Sequence, residues 1–161
     1  IGEIGIDLYW DTTYREEQLE AFRMQILWAK KLGLPIVIHA RNSFNEIFEV
    51  LDSAWEEGLS GVFHSFSGKK EDAQKALSYN FYIGINGIVT FKNSDISGLV
   101  AGIRILLETD APFLSPVPYR GKRNESSYLI HIAEKISEIH NTHLAKVAEV
   151  TSRNAIHLFN I

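Results

Sequence analysis

Two histidines and two carboxylates stand where a metal site could be built. Glu3 lies in Ile1-Gly2-Glu3-Ile4-Gly5-Ile6-Asp7, and His39 ends Pro35-Ile36-Val37-Ile38-His39. His64 ends Gly61-Val62-Phe63-His64, and Asp110 follows the apolar run Ile105-Leu106-Leu107. Each of the four is expected at or near the C-terminal end of a short buried strand, the place where parallel α/β folds collect their reactive side chains. Two imidazoles and two carboxylates make a nitrogen and oxygen donor set of hard to borderline character, suited to Zn, Mn, Mg or Fe. A single histidine at a strand end also has an ordinary structural reading. Thr109 and Asp110 likewise read as helix N-cap residues. Four such residues at equivalent positions favour ligation over those readings. His131, His140, His143 and His157 fall on the tail with no acid partner suggested, and are expected as surface or cap residues.

Elements that position these residues follow from the patterning. Thr13 and Glu16 form a capping-box pattern. The helix it opens places Leu19, Phe22, Ile26 and Ala29 on one face, and Gly33 with Pro35 closes it. Ser43 and Glu46 repeat the capping pattern before a helix that buries Ile47, Val50, Leu51 and Ala54 and ends at Gly58. A modest helix with Ala73, Ala76 and Leu77 follows the third strand, and residues 81–85 form a fourth strand that turns at Asn86-Gly87. A weak helix is expected over 94–101, and a fifth strand over 104–110 that Pro112 ends. The tail carries a helix with Leu129, Ile132, Ala133 and Ile136 on one face. A short segment from a Thr142 cap follows, then a last turn from Ser152 that buries Ile156 and Phe159. Strict alternation of strand and helix argues for a parallel sheet covered by helices. An open doubly wound sheet and part of a closed eight-stranded barrel both satisfy that order.

The composition describes one soluble globular domain over residues 1–161: 45% hydrophobic, 22% charged, formal net charge −4. The charge gives no global basic footprint, so any nucleic-acid contact is local. The absence of cysteine excludes disulfides and thiolate chemistry. No apolar run approaches the ~18 residues of a membrane span, and the chain opens on Ile1 inside a strand pattern. The one dense basic cluster is Tyr119-Arg120-Gly121-Lys122-Arg123-Asn124, directly after the fifth strand. Beside the metal-ligand candidates it is expected to hold phosphates, as is Arg41, two residues past His39. Trp10 and Tyr119 could stack on bases or simply pack.

Five blocks in order, Ile1–Asp7, Pro35–Arg41, His64-Ser65-Phe66-Ser67-Gly68, Glu108-Thr109-Asp110-Ala111-Pro112 and Arg120–Asn124, together resemble the TatD family of metal-dependent deoxyribonucleases. The tail Thr151–Phe159 is also similar to that family's ending. The resemblance implies a (β/α)8 TIM barrel of the amidohydrolase-like superfamily, with this chain covering strands four to eight and their helices. It implies one or two divalent ions (Mg, Mn or Zn), with Glu3 as a bridging carboxylate, His39 and His64 as ligands and Asp110 as the acid of the eighth strand. DNA, single-stranded or at 3′ ends, is the implied substrate, and the setting is cytoplasmic with no membrane. On this reading Asp110 orients the attacking water and accepts its proton. Glu108 either supports the ligands from behind or is simply the last strand residue facing a helix, and Arg41, Arg120, Lys122, Arg123 and Asn124 hold the substrate's phosphates.

Three departures from the family pattern stand out. Ser65 occupies a position where cysteine is usual, and Ser126-Ser127 replaces the usual proline. The His-x-His pair of the family's first strand is absent, and with it the first three strand-helix units, so the chain is expected either to be a portion of a longer protein or to pair with an N-terminal complement that supplies those ligands. Two rival readings follow: a non-catalytic fragment or partner-completed half-barrel, and a hydrolase of a small ester, lactone or amide at a similar metal site.

Overall fold

A computed structural model describes residues 1–55, 58–92, 94 and 104–161. The chain divides into two compact units, Ile1–Tyr82 and Ile83–Ile161. In the first, β1 (Ile4–Asp7), β2 (Ile36–Arg41) and β3 (Gly61–Phe63) lie side by side in parallel. Register places Gly5 opposite His39, Asp7 opposite Arg41 and Ile38 opposite Phe63. Three helices connect and follow them: α1 (Arg15–Leu32), α2 (Phe44–Ala54) and α3 (Lys70–Ser78).

The strands sort their side chains by the two-residue period. Ile4, Ile6, Ile36, Ile38 and Ala40 are buried, while Gly5, Asp7, Val37, His39 and Arg41 alternate with them on the other face. α1 buries Leu19, Phe22, Ile26 and Ala29, the face its spacing predicts. Gly33 ends it in the left-handed conformation (φ 62°), and its N–H returns to the carbonyls of Ala29 and Lys30. α2 buries Ile47, Phe48, Val50 and Leu51, but stops at Ala54 and not at Gly58. Around it Phe44, Phe48, Phe63, Phe66, Tyr79 and Phe81 form one aromatic cluster with ring centroids 5.3–6.4 Å apart.

Neither capping box forms. α1 starts at Arg15, and Thr13 instead gives its N–H to Asp11 Oδ1. Ser43 does precede α2, but its hydroxyl accepts the Arg41 N–H and donates to the Ile6 carbonyl, tying β2 to β1. Glu46 is drawn to Arg15 Nε at 3.3 Å. Thr13 turns to Asp11, two residues before it, whereas Ser43 and Glu46 turn to the distant Ile6 and Arg15.

In the second unit β4 (Tyr82–Ile85), which begins at the junction, pairs in parallel with β5 (Ile105–Leu107), Ile83 opposite Ile105. A 3-10 turn, Gly87–Thr90, follows β4, with Asn86 Oδ1 accepting the Ile88 N–H. The helix expected over 94–101 lies, apart from Ser94, outside the described residues. α4 (Leu129–Ile139) buries Ile132, Ala133 and Ile136 as the pattern predicts.

The tail differs from expectation. A single helix, α5 (Leu144–Phe159), replaces the two short segments, and it buries Val147, Thr151, Asn154 and Leu158. Ile156 and Phe159 are exposed. The stripe at 147, 151, 154 and 158 has helical spacing, but its two middle members are polar, which hid it. Both earn their burial through hydrogen bonds, Thr151 Oγ1 to the Val147 carbonyl and Asn154 Nδ2 to the Ile105 carbonyl on β5. No described helix is long and apolar enough to cross a membrane.

Candidate metal centre

Glu3, His39 and His64 converge within the first unit. Glu3 Oε1 lies 2.9 Å from His39 Nδ1 and 2.9 Å from His64 Nε2. One ligand atom from each residue falls within 4.8 Å of the others, and the two imidazole rings stand 5.7 Å apart. His64 is nearly enclosed, its side chain 13% exposed, whereas Glu3 is 49% exposed. His64 therefore forms the floor and the carboxylate the open side.

Three strands deliver this cluster, though not all from their C-terminal ends. His64 directly follows β3, and His39 is the fourth residue of the six in β2. Glu3 precedes β1, so the expectation of a C-terminal position does not hold for it. The chain already pairs with the second strand upstream, through Ile1 N to the Pro35 carbonyl and Val37 N to the Ile1 carbonyl. It bends at Glu3 before the regular ladder begins at Ile4. Gly5 permits the close pairing beside His39. Its φ is +139°, and a Cβ there would meet the His39 carbonyl oxygen at 2.0 Å.

Asp7, at the end of β1, is the last residue of the Ile1–Asp7 block and has no role assigned from sequence. Its Oδ2 is 2.9 Å from His39 Nε2, and its Oδ1 accepts the Tyr9 N–H at 2.9 Å. Burial raises the Asp7 carboxyl pKa. The Tyr9 N–H, the His39 ring and the Arg41 charge together outweigh that and hold it below the ordinary value. Arg41 lies over the Tyr9 ring at 3.8 Å, and Tyr9 meets Trp10 edge-on at 4.6 Å. Trp10 itself is 82% exposed.

The other expected site residues belong to the second unit. Glu108 N–H donates to the Ile85 carbonyl and prolongs the β4–β5 pairing past Leu107. Asp110 follows two residues later in a left-handed conformation (φ 57°), and its carbonyl accepts the Phe113 N–H. Asn42 (φ 55°) and Ser65 (φ 47°), the residues after Arg41 and His64, adopt the same conformation. Three strand ends thus turn through a left-handed residue, a costly geometry that small polar side chains tolerate best and that clusters at functional sites.

The basic loop is fastened to the segment after β5. Asn124 N–H reaches the Pro112 carbonyl, Ser115 Oγ the Lys122 carbonyl, and Lys122 N–H the Tyr119 carbonyl. Asn124 is 2% exposed, and its Nδ2 donates to both the Thr109 and Phe113 carbonyls at 2.6 Å. Arg120, Lys122 and Arg123 remain exposed, with the Arg120 guanidinium 3.9 Å above the Phe91 ring. Tyr119 stacks flat on Tyr128 at 4.1 Å, which covers one of its faces. Of the tail histidines, His131 does have an acid partner, Glu134 at 3.2 Å on the same helix. One helical turn separates the two, a spacing at which side chains meet.

A TatD related DNase family model matches residues 1–160. The chain belongs to that family. It is 41% identical to an uncharacterized metal-dependent hydrolase, YabD, of Bacillus subtilis, over 100% of this chain and 65% of that protein. It is 35% identical to the 3′-5′ ssDNA/RNA exonuclease TatD of Escherichia fergusonii, over 100% of this chain and 65% of the relative. The crystal structure of the TatD homolog YjjV of Escherichia coli matches with a TM-score of 0.92 at 27% identity, over 99% of this chain and 63% of that one. A TatD family hydrolase of Entamoeba histolytica shares the fold, with a TM-score of 0.83 at 24% identity, over 99% of this chain and 62% of that one. The fold is accordingly the parallel α/β, TIM-barrel type of these proteins. The chain spans 62–65% of the length of the relatives that match all of it.

The Glu3, His39 and His64 cluster fits a divalent ion by its donor chemistry. Two imidazole nitrogens face one carboxylate oxygen, and no soft donor is present.

Proposed function

We propose that this protein is a divalent-metal-dependent hydrolase that cleaves phosphodiester bonds of DNA, working on single strands or 3′ ends. The observation that carries the reading is the single Glu3 oxygen 2.9 Å from nitrogens of both His39 and His64. Two imidazoles and one carboxylate around a common point form a ligand set, and the name of the E. fergusonii relative supports a nucleic-acid substrate. A bound divalent ion, one or two of Mg, Mn or Zn, supplies an acidified water and polarises a phosphoryl oxygen.

The chain's own residues do the rest. Glu3 and the two histidines hold the ion. Asp110 orients the attacking water and takes its proton, a role that rests on the Glu108-Thr109-Asp110-Ala111-Pro112 motif. Glu108, directly after β5 and two residues before Asp110, supports it. Arg41, Arg120, Lys122 and Arg123 hold phosphates without reading sequence, and Asn124 acts by fixing the loop that carries the last three. The setting is cytoplasmic.

The test is divalent-dependent degradation of end-labelled single-stranded DNA by the wild type and by Asp110→Asn. Degradation that needs the ion and falls at least 100-fold in Asp110→Asn is expected. Degradation that persists in excess chelator, or is indifferent to Asp110, refutes the reading. An Arg120→Ala/Arg123→Ala variant separates phosphodiesters from small neutral esters, since only the former lose affinity.

A further inference from the structure

His39 is held from both sides by carboxylates, Glu3 on Nδ1 and Asp7 on Nε2, each at 2.9 Å. A neutral imidazole carries one proton and cannot donate to both. Asp7 is also the better fixed of the two acids. One side chain of α1 clamps its backbone: Gln18 Oε1 accepts the Asp7 N–H at 2.8 Å, and Gln18 Nε2 donates to the Asp7 carbonyl at 3.2 Å. Gln18 thereby acts toward this residue as a neighbouring strand would. The Tyr9 N–H occupies the second carboxylate oxygen, so Asp7 has one oxygen left, and it faces His39. On the sheet, Asp7 lies diagonal to His39 on the same face, two residues beyond Gly5.

The geometry points to Asp7 as the positioning residue of His39. It accepts the Nε2–H, fixes the ring's tautomer and plane, and leaves the Nδ1 lone pair aimed at the Glu3 oxygen. His64 turns its Nε2 to that same oxygen, so the two histidines offer opposite nitrogens to the ion. A carboxylate behind a ligating imidazole raises its basicity and holds its orientation, and losing it typically costs about 10–100-fold in metal affinity. This inference rests on the metal reading above and adds which nitrogen each histidine uses and what enforces the choice.

The test is long-range proton–nitrogen NMR of 15N-histidine-labelled protein saturated with Zn2+, with calorimetric Zn2+ titration of the wild type and Asp7→Asn. Wild type is expected to show His39 with its proton on Nε2 and zinc on Nδ1, which no variant is needed to see. Asp7→Asn keeps the shape. If its oxygen stays on the Tyr9 N–H, its amide turns a donor to His39 Nε2, so the ring proton moves to Nδ1 and Zn2+ affinity falls about 10–100-fold. A wild type with the proton on Nδ1 overturns the assignment while leaving the metal reading intact. So does an Asp7→Asn variant that binds within twofold of wild type with an unchanged ring. A wild type that binds no Zn2+ overturns the metal reading and this inference with it.

Discussion

Gly5→Ala tests whether the site depends on the close approach of β1 to β2. An alanine Cβ at residue 5 would lie 2.0 Å from the His39 carbonyl oxygen, against 3.4 Å for the start of ordinary contact. The two strands must therefore separate by about 1.4 Å at His39, or the chain must rotate out of its φ of +139°. A conformation reserved for glycine costs roughly 1–3 kcal/mol for another residue, and forcing an atom into a packed contact costs roughly a further 1–3 kcal/mol. Destabilisation of roughly 2–6 kcal/mol is expected, read from urea unfolding. Gly33→Ala is the matched control: its φ is +62°, yet no atom lies within 4 Å of the added Cβ. It should cost only the backbone term, about 1–2 kcal/mol. The two variants should also part in a Mn2+ titration, because a shift of this size at His39 breaks its alignment with Glu3, while an alanine Cβ at residue 33 meets no atom within 4 Å. Equal unfolding midpoints for the two variants, with unchanged Mn2+ affinity in Gly5→Ala, would refute the steric account of the β1–β2 contact.

Three further predictions concern residues outside the metal cluster. Asn124→Ala removes the donor shared by the Thr109 and Phe113 carbonyls and should destabilise the protein by about 2–4 kcal/mol in urea unfolding; a change below about 0.5 kcal/mol, the range of a plain surface site, would show that the loop is held otherwise. On α2 and α3, a hydrogen bond from Lys75, then one from the Tyr79 hydroxyl, lowers the Asp52 pKa against a smaller effect of burial. The sign follows: a depressed carboxylate contributes stability above its unfolded pKa of about 4, and that contribution is lost as pH falls through the folded value. Asp52→Asn should therefore flatten the acid limb of a urea-midpoint profile. Burial, then the hydrogen bond to Asp52, raises the Tyr79 pKa, so its contribution is intact below pH about 10 and is lost as pH rises beyond it. Tyr79→Phe should remove that alkaline slope, and a slope that survives would place its origin elsewhere.

Burial periodicity was the legible part of this sequence. The face of α1 is read directly from Leu19, Phe22, Ile26 and Ala29, and the face of α4 from Ile132, Ala133 and Ile136. His39 and His64 are also readable, because each follows a short apolar run that can only be a buried strand. What could not be read is the choice among competing hydrogen-bond partners. Ser43 and Glu46 have the spacing of a local cap, yet Ser43 bonds to Ile6 and Glu46 to Arg15. Gln18 has no local signature that marks it as the clamp on Asp7, eleven residues upstream. Glu3 was assigned to a strand's C-terminal end because alternation begins at Ile1, but a bend before Ile4 interrupts the ladder.

The buried polar residues show why that second kind of information decides the site. They are Ser43, Asn86, Ser115, Asn124, Thr151 and Asn154 among the described residues, and each spends its side chain on backbone. Ser43 serves Ile6 and Arg41, and Asn86 serves Ile88. Ser115 serves Lys122, Asn124 serves Thr109 and Phe113, Thr151 serves Val147, and Asn154 serves Ile105. β5 is three residues long; Asn154 bonds the carbonyl of its first residue, Ile105, and Asn124 the carbonyl of Thr109, two residues past its end. Buried carbonyls and N–H groups beyond the ladder need partners, and water in their place would leave the strand ends free to move. Side chains borrowed from neighbouring helices and loops supply those partners instead. Gln18 does the same for Asp7, though it is only partly buried. A polar residue on an otherwise apolar helix stripe, as at Thr151 and Asn154, is then a pointer to a bonded backbone group and not a break in the helix.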